Sequence, residues 1–312
     1  MRTRGGPLRI LLPAGGSDSL QFDTIVVGHI AIDMNVLPLG IIENALGGAP
    51  TYAGLTFAAL RKNIGIVSKV GADFLEKFPP IYSKLGLDTE GILVAGEYTT
   101  TFENTYDEAG NRKQVCKHVA PRISPDDIPA AYSDAQSFYV SPIANEITPD
   151  ILKAIKRESN LVMLDPQGIL REISKDGKVK IKSRELGEFL KHADIVKIGK
   201  EEAGALGGGA KEILESLRAM GPKIAILTRG RDASMVLSDE GLVKIDSLKV
   251  DAKDLTGAGD VFGAAFLTRY IATRDTLESA KFATAVAGLK IKYKGPTGFP
   301  SEKETLRAFR SF

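Results

Sequence analysis

Residues Asp254-Leu255-Thr256-Gly257-Ala258-Gly259-Asp260 run directly into Val261-Phe262-Gly263-Ala264-Ala265-Phe266-Leu267. Small residues and a carboxylate therefore fall where a helix is expected to start. A helix N-terminus presents N–H groups without intrahelical partners and the positive end of the helix dipole, and both attract phosphate. Glycine and alanine let an anion come close to the backbone. A carboxylate beside a bound anion repels it, so Asp260 needs a different task. Taking the proton from an alcohol that attacks phosphorus is one such task. A plain structural cap is the other reading, because Asp is a good helix-capping residue, and the physics of this heptapeptide alone leaves the two readings level. The stretch is not a Walker A loop: Gly-Lys occurs only at Gly177-Lys178 and Gly199-Lys200, neither followed by Ser or Thr. Nor do Gly257, Gly259 and Gly263 open the chain as a strand–turn–helix unit, which argues against a dinucleotide-dependent oxidoreductase.

The elements that must position this stretch are legible at the level of strands and helices. Thr24-Ile25-Val26-Val27-Gly28 reads as a buried strand ending at Gly28, and Gly47-Gly48-Ala49-Pro50 opens an Ala-rich helix reaching about Leu60. Ile64 to Gly71 is the next strand. Residues 92–119 have another texture, rich in Thr, Tyr, Phe and Val around the turn sequence Asp107-Glu108-Ala109-Gly110-Asn111, and predict an antiparallel excursion. A strand–helix rhythm resumes with Ser137-Phe138-Tyr139-Val140, Leu161 to Asp165, Ile195 to Ile198 and Ile224 to Thr228. Such alternation predicts an α/β fold with a mainly parallel sheet covered on both faces. Ligands of such sheets sit beyond the carboxyl ends of the strands, where Asp33, Asp165 and Thr228 are expected. The glycine-rich run Gly204 to Gly209 reads as a turn.

Composition narrows the function classes. The chain has 312 residues, 43% of them hydrophobic, enough for a full core, and a net charge of +2 that gives no sign of nucleic-acid or membrane-surface binding. A single cysteine, Cys116, excludes an internal disulfide. No apolar run reaches the ~18 residues of a transmembrane helix. Residues 1–22 read as a loose tail, residues 23–312 as one α/β domain, and the expected compartment is the cytoplasm.

The 254–260 stretch resembles the C-terminal signature of the ribokinase-like (PfkB) family of sugar and nucleoside kinases, and further segments between about 24 and 300 follow that family's order. Gly28-His29-Ile30-Ala31-Ile32-Asp33 is similar to the family's first strand and its substrate-binding Asp, which implies that Asp33 accepts hydrogen bonds from sugar hydroxyls. Gly47 and Gly48 match the di-glycine that lets substrate approach the backbone. Tyr52 stands where the family commonly has Asn, and offers a ring face and a hydroxyl instead. Val70-Gly71-Ala72-Asp73 resembles the family's Val-Gly-x-Asp turn. Segments 34–46 and 92–119 resemble the small β-sheet lid that closes over the acceptor, with Thr101, Phe102 and Asn104 as lid residues in reach of substrate. Paired lids imply a homodimer.

The same resemblance gives Thr228-Arg229-Gly230 as a border of the nucleotide, with Gly257 and Gly259. Glu202 matches the acid of an Asn-x-x-Glu motif that organises Mg²⁺, although the Asn position is Gly199. Asp254 and Thr256 match a monovalent-cation site, for K⁺, completed by carbonyls within Lys290 to Gly295. Tyr52, Gly199 and Asp165-Pro166-Gln167-Gly168 together resemble an archaeal or inositol-kinase-like branch. The implied reaction is transfer of the ATP γ-phosphate to a hydroxyl of a small sugar, an inositol-like polyol or a nucleoside. In it Asp260 takes the proton, and Gly257, Ala258 and Gly259 direct N–H groups at the phosphate. A nucleoside kinase and a non-catalytic sugar- or nucleotide-binding protein on a kinase scaffold are the alternatives.

Overall fold

The structure, a computed structural model, describes residues 8–9, 21–37, 40–75, 82, 86–106, 112–296 and 298–312. Its strands are β1 (Leu8–Arg9), β2 (Thr24–Val27), β3 (Ala31–Leu37), β4 (Gly40–Gly47), β5 (Ile64–Val70), β6 (Asp88–Val94), β7 (Thr100–Tyr106), β8 (Arg112–His118), β9 (Ser137–Val140), β10 (Leu161–Leu164), β11 (Arg171–Ile173), β12 (Val179–Ile181), β13 (Ile195–Gly199), β14 (Ile224–Thr228), β15 (Ser234–Ser238) and β16 (Gly241–Ile245). The helices among the described residues are α1 (Ala49–Ala59), α2 (Pro149–Ile155), α3 (Gly187–Leu190), α4 (Lys200–Leu206), α5 (Ala210–Ala219), α6 (Ala258–Thr273), α7 (Thr276–Lys290) and α8 (Glu302–Phe309).

A ten-stranded sheet runs in the order β1-β6-β5-β2-β9-β10-β13-β14-β15-β16. Every pairing from β6 to β14 is parallel, and β1, β15 and β16 add antiparallel edges. The buried run of β2 shows why its strands read as continuous apolar segments. Ile25 and Val27 point into one layer, with Leu152 of α2 and Leu217 of α5, and Val26 points into the opposite layer, with Phe57 of α1 and Phe266 of α6. Side chains alternate across the strand, and helices cover both faces, so both sets are apolar. The expected α/β architecture is the observed one.

A second sheet stands apart, in the order β4-β3-β7-β8. It carries its own cluster of Ala31, Phe102 and Cys116 against Ile143 and Ala144. Two details differ from the expectation. Ile92 and Leu93 lie in β6 of the large sheet, so the excursion starts at Thr100; an apolar run has the same texture in either sheet. Asp33 lies inside β3 rather than at the mouth of β2, because the chain leaves the large sheet at Gly28 and enters the small one at Ala31. The turn at 107–111 lies outside the described residues. Of the expected tail, Leu8–Arg9 pairs with β6, Phe22 packs edge-on to Tyr132, and the remainder before Gln21 lies outside the described residues.

The exit from β2 is fixed by Glu146, fully buried in the loop after β9. Its carboxylate accepts the backbone N–H groups of His29 (2.8 Å), Ile143 (2.8 and 2.9 Å) and Ala144 (2.7 Å). The clamp joins the carboxyl ends of β2 and β9, where the strand order reverses and α/β sheets open a crevice. His29 above it is wired in one direction. Its Nε2–H donates to the Pro121 carbonyl (3.1 Å), so Nδ1 accepts from the Thr100 hydroxyl (2.8 Å), which in turn accepts the Ala120 N–H (3.0 Å). Burial holds the His29 pKa below its ordinary value, in keeping with that neutral tautomer. Glu146→Gln keeps the shape but turns an N–H₂ towards backbone N–H donors. It should lower unfolding stability by about 2–3 kcal/mol, read from the denaturant midpoint; an unchanged midpoint would show that the clamp contributes nothing.

Candidate active site

The functional stretch forms a tight turn into α6. Asp254 accepts the Thr256 N–H through Oδ1 (2.9 Å) and the Gly295 N–H through Oδ2 (2.8 Å), the first contact being an Asx-turn. Gly257 then caps α6 with φ of 72° and ψ of 3°, a left-handed conformation. A Cβ on Gly257 would fall inside the Tyr52 ring, so both backbone and space require glycine. The Ala258 N–H donates to the Leu255 carbonyl (3.3 Å), and Gly259 follows on the first turn, where N–H groups lack an intrahelical partner. Tyr52 is only 5% exposed and its ring lies under that glycine, so the ring supports the turn rather than offering that face to a ligand.

Asp260 stands on this first turn, 9% exposed. Its Oδ1 accepts from the Gln167 amide (3.1 Å) and the Ser141 hydroxyl (3.4 Å), and Gln167 also donates to Ser141 (3.1 Å). The Arg171 guanidinium donates to the Gln167 carbonyl oxygen (3.2 Å), which orients the amide so that its N–H₂ meets the carboxylate. Behind Asp260 lies a buried ion pair, Lys197–Asp165 at 2.5 Å. Burial, then the Asp165 charge, pushes the Asp260 carboxyl up to about 7, against the opposite pull of Lys197, Arg171 and Gln167. Burial works against the Lys197 ammonium as well, yet Asp165 and Asp260 hold it above the ordinary lysine value. Such a carboxyl sits where it can give and take a proton near neutral pH.

The small sheet is connected to this carboxylate through Arg171 and Gln167. Asp33 pairs with Phe102 and Phe102 with Cys116; two positions along, Asn35 pairs with Asn104 and Asn104 with Gln114. Residues two apart share a face, so all of these sit on the face that carries Phe102 inward. Asn104 donates to Asn35 (3.1 Å) and accepts from Gln114 (2.9 Å), a ladder of amides across three strands. A Cβ on Gly47 would collide with the Asp33 carboxylate, so the first of the two glycines seats that acid. Gly48 starts α1 beside it. The Arg171 guanidinium lies 5.7 Å from the Phe102 ring centre and thus links the small sheet to Gln167 and Asp260.

On the other side of the α6 turn lies a cavity of about 560 Å³. Thr228, Gly230 and Gly259 of the residues expected to border a nucleotide line it, joined by Ala258, whereas Gly257 is not among its lining residues. Its remaining wall, including Leu248, Val250, Phe262, Ala287 and Ile291, is largely apolar and carries no motif. Glu202 lies at the start of α4, where its Oε2 accepts the Gly199 N–H (2.8 Å). A Cβ on Gly199 would come 2.5 Å from that oxygen, so the loss of the motif's Asn leaves room for the acid to fold back. Burial and Asp165 raise the Glu202 pKa.

Sequence reasoning gave Ser141, Gln167, Arg171 and Lys197 no role. Lys197 did leave a signal, a lysine inside the apolar strand Ile195-Val196-Lys197-Ile198, where an unpaired ammonium could not be buried. Arg171, on the short β11–β12 hairpin, left none.

The pfkB family carbohydrate kinase model matches residues 23–304. A cytidine kinase of Thermococcus kodakarensis is 27% identical over 80% of this chain and 89% of its own length. A nucleoside kinase of Methanothermobacter thermautotrophicus is 27% identical over 92% and 95%. The solved structure of a pyrophosphate-dependent kinase in the ribokinase family, complexed with a pyrophosphate analog and myo-inositol, superposes with a TM-score of 0.78 at 23% identity, over 91% of this chain and 99% of that one. A buried carboxylate on the first turn of a helix, a cavity beside that turn and a matching model over most of the length lead to one statement: the chain belongs to the pfkB family of carbohydrate kinases, phosphotransferases that act on hydroxyl groups.

Proposed function

We propose that the chain transfers the γ-phosphate of ATP to a hydroxyl of a small polyhydroxylated acceptor (a sugar, an inositol-like polyol or a nucleoside) and that within this class it takes a nucleoside, the substrate type in the names of both sequence relatives. The observation that carries the reading is Asp260, buried on the α6 turn with amide and hydroxyl donors on one oxygen. A merely structural cap needs neither a buried ion pair behind it nor Gln167 held in place by Arg171. That argues against a non-catalytic binding protein.

In this mechanism the acceptor lies between Asp260 and the inner face of the small sheet, where Asp33 and Asn104 bind its hydroxyls. Asp260 takes the proton as the hydroxyl attacks phosphorus. N–H groups of Gly257 and Gly259 receive the charge that develops on the phosphoryl oxygens, and that of Ala258 joins them on leaving the Leu255 carbonyl. Gln167 and Ser141 keep the charged form of Asp260 within reach despite burial. The small sheet closes over the acceptor as a lid and keeps out water that would compete with it. Thr228 and Gly230 border the donor. The apolar cavity favours a nucleotide over pyrophosphate, because about 560 Å³ of largely apolar wall fits a nucleoside and serves no purpose for a bare diphosphate.

The acids present suit Mg²⁺. Burial first, and then the charge of Asp165, raises the pKa of Glu202 and of Asp260 against the opposite pull of Lys197 and Arg171, so both acids gain from a cation placed beside them. Mg²⁺ is commonly held by one or two carboxylates together with water and substrate phosphates. Glu202 is the acid we assign to it, and the ion's contribution would be to neutralise phosphate charge.

The direct test is ADP release with MgATP against cytidine, adenosine, guanosine, ribose, fructose phosphates and inositol, with Asp260→Asn alongside. The variant should fold normally and lose roughly 10²-fold or more in kcat. Because the Asp260 carboxyl is raised to about 7, its base form gains with pH, and kcat/KM of the wild type should climb through about pH 7 and then level. Near-normal turnover by the variant would remove Asp260 as the base. Ala287→Leu should raise the KM for ATP roughly tenfold while leaving that of the acceptor nearly unchanged; no change in either would argue for a donor that does not use the cavity. We also propose a homodimer through the outer face of the small sheet, where Ile41 is 61% exposed. A monomeric mass by light scattering would exclude it.

A further inference from the structure

Lys290 closes α7 and is only 2% exposed. Its ammonium donates to the Gly295 carbonyl (2.7 Å) and lies 5.4 Å from the centre of the Phe299 ring. The N–H of the same Gly295 donates to Asp254 Oδ2 (2.8 Å), and the other Asp254 oxygen takes the Thr256 N–H (2.9 Å). One glycine is thus gripped from both sides, by a cation at its carbonyl and an anion at its N–H. A second tie joins the same segments, since the Ile291 carbonyl accepts the N–H groups of Lys253 (2.8 Å) and Asp254 (3.1 Å). These contacts hold the chain directly before Gly257. The position also suits a positive charge, because the carbonyl end of α7 is the negative end of its dipole.

This is the place where the family resemblance led us to expect K⁺. The residues as placed do not fit that ion, because the loop carbonyl is aimed at an ammonium that already fills the position. We propose that the Lys290 ammonium is the built-in cation of this site, a positioning residue that sets the Asp254–Gly257 turn, so that the protein needs no added monovalent metal. Burial lowers the Lys290 pKa and the Asp254 charge opposes that fall, which agrees with an ammonium held by a distant anion and a carbonyl rather than by a direct ion pair. Lysine offers what the position needs, a compact charge with three donors on a stem that can pack on Phe299.

The link to turnover rests on the kinase reading, but the first measurement does not. Wild type, Lys290→Met and Lys290→Arg are melted in KCl and in choline chloride at equal ionic strength, with no acceptor present. The wild type and Lys290→Arg should melt alike in both salts. Lys290→Met should melt lower in choline chloride and regain about 3 °C or more in KCl, as a vacated cation position fills. The turnover assay should then show Lys290→Met slowed roughly tenfold in choline and restored by K⁺, a cation-selective rescue that lost packing does not give. K⁺-specific stabilisation or activation of the wild type would overturn the proposal. So would a deficit of Lys290→Met that is the same in both salts. If Lys290→Met does not fold, the wild-type comparison decides alone.

Discussion

An aspartate and a lysine meet at 2.5 Å inside this protein, Asp165 at the end of β10 and Lys197 within β13, both almost wholly removed from water. Removing either partner would leave a buried charge uncompensated, a loss of about 3–5 kcal/mol, so the pair fixes the spacing of two neighbouring strands. It also fixes the electrostatics of the site. Gly259 passes close above the ammonium, where a Cβ would come within 3.4 Å of Nζ, so the turn proposed to face phosphate rests on a positive charge. The Asp165 charge raises the carboxyl of Asp260, and the Lys197 charge limits that rise. The position of a proton on Asp260 is thus set by a balance among groups that cannot move independently.

Much of this was legible in the amino-acid order, for physical reasons. Val26 and Ile25 read as strand because a parallel strand covered on both faces has no polar side to show. Gly257 and Asp260 were legible as small residues and a carboxylate at a helix start, which the physics left level between a cap and a phosphate site and the family resemblance separated. What the order could not give is contact between residues far apart. Arg171 and Gln167 are four residues apart, yet their meaning comes from Asp260, 93 positions beyond Gln167. The apolar wall of the cavity is drawn from 247–252 and from α7, and apolar residues there look like any core. Tyr52 read as a possible ligand because it stands at a binding position, and only the fold shows its ring beneath Gly257. Lys290 was named only as the start of the loop to Gly295 whose carbonyls were expected at K⁺, since nothing local shows that this loop turns back to enclose the ammonium.

The two sides of the site are joined by one chain of contacts. Phe102 on the small sheet meets Arg171, Arg171 orients Gln167, and Gln167 donates to Asp260. The small sheet itself is anchored below. Asp73 accepts both the N–H and the hydroxyl of Thr99 (2.9 and 2.6 Å), and Thr100 is tied through His29 to Pro121. These anchors sit at the roots of β3, β7 and β8, so displacement of the sheet as a body would pivot there, and the side chain carried furthest inward would take Arg171 with it.

The small sheet keeps its own apolar cluster and its own amide ladder, while Ile32 of β3 and Leu46 of β4 root it in the core on the α1 and α6 side of the large sheet. The wall that would read the acceptor is therefore a separate sheet tied to the main body at its root and through Arg171. For evolution, such an arrangement means that taste in acceptors can drift through the amide ladder while the root of the sheet and the Arg171 link stay fixed. For an engineer, it means that a library confined to Asn35, Asn104 and Gln114 explores new acceptors while Phe102, through which Arg171 and Asp260 would sense a change, is kept.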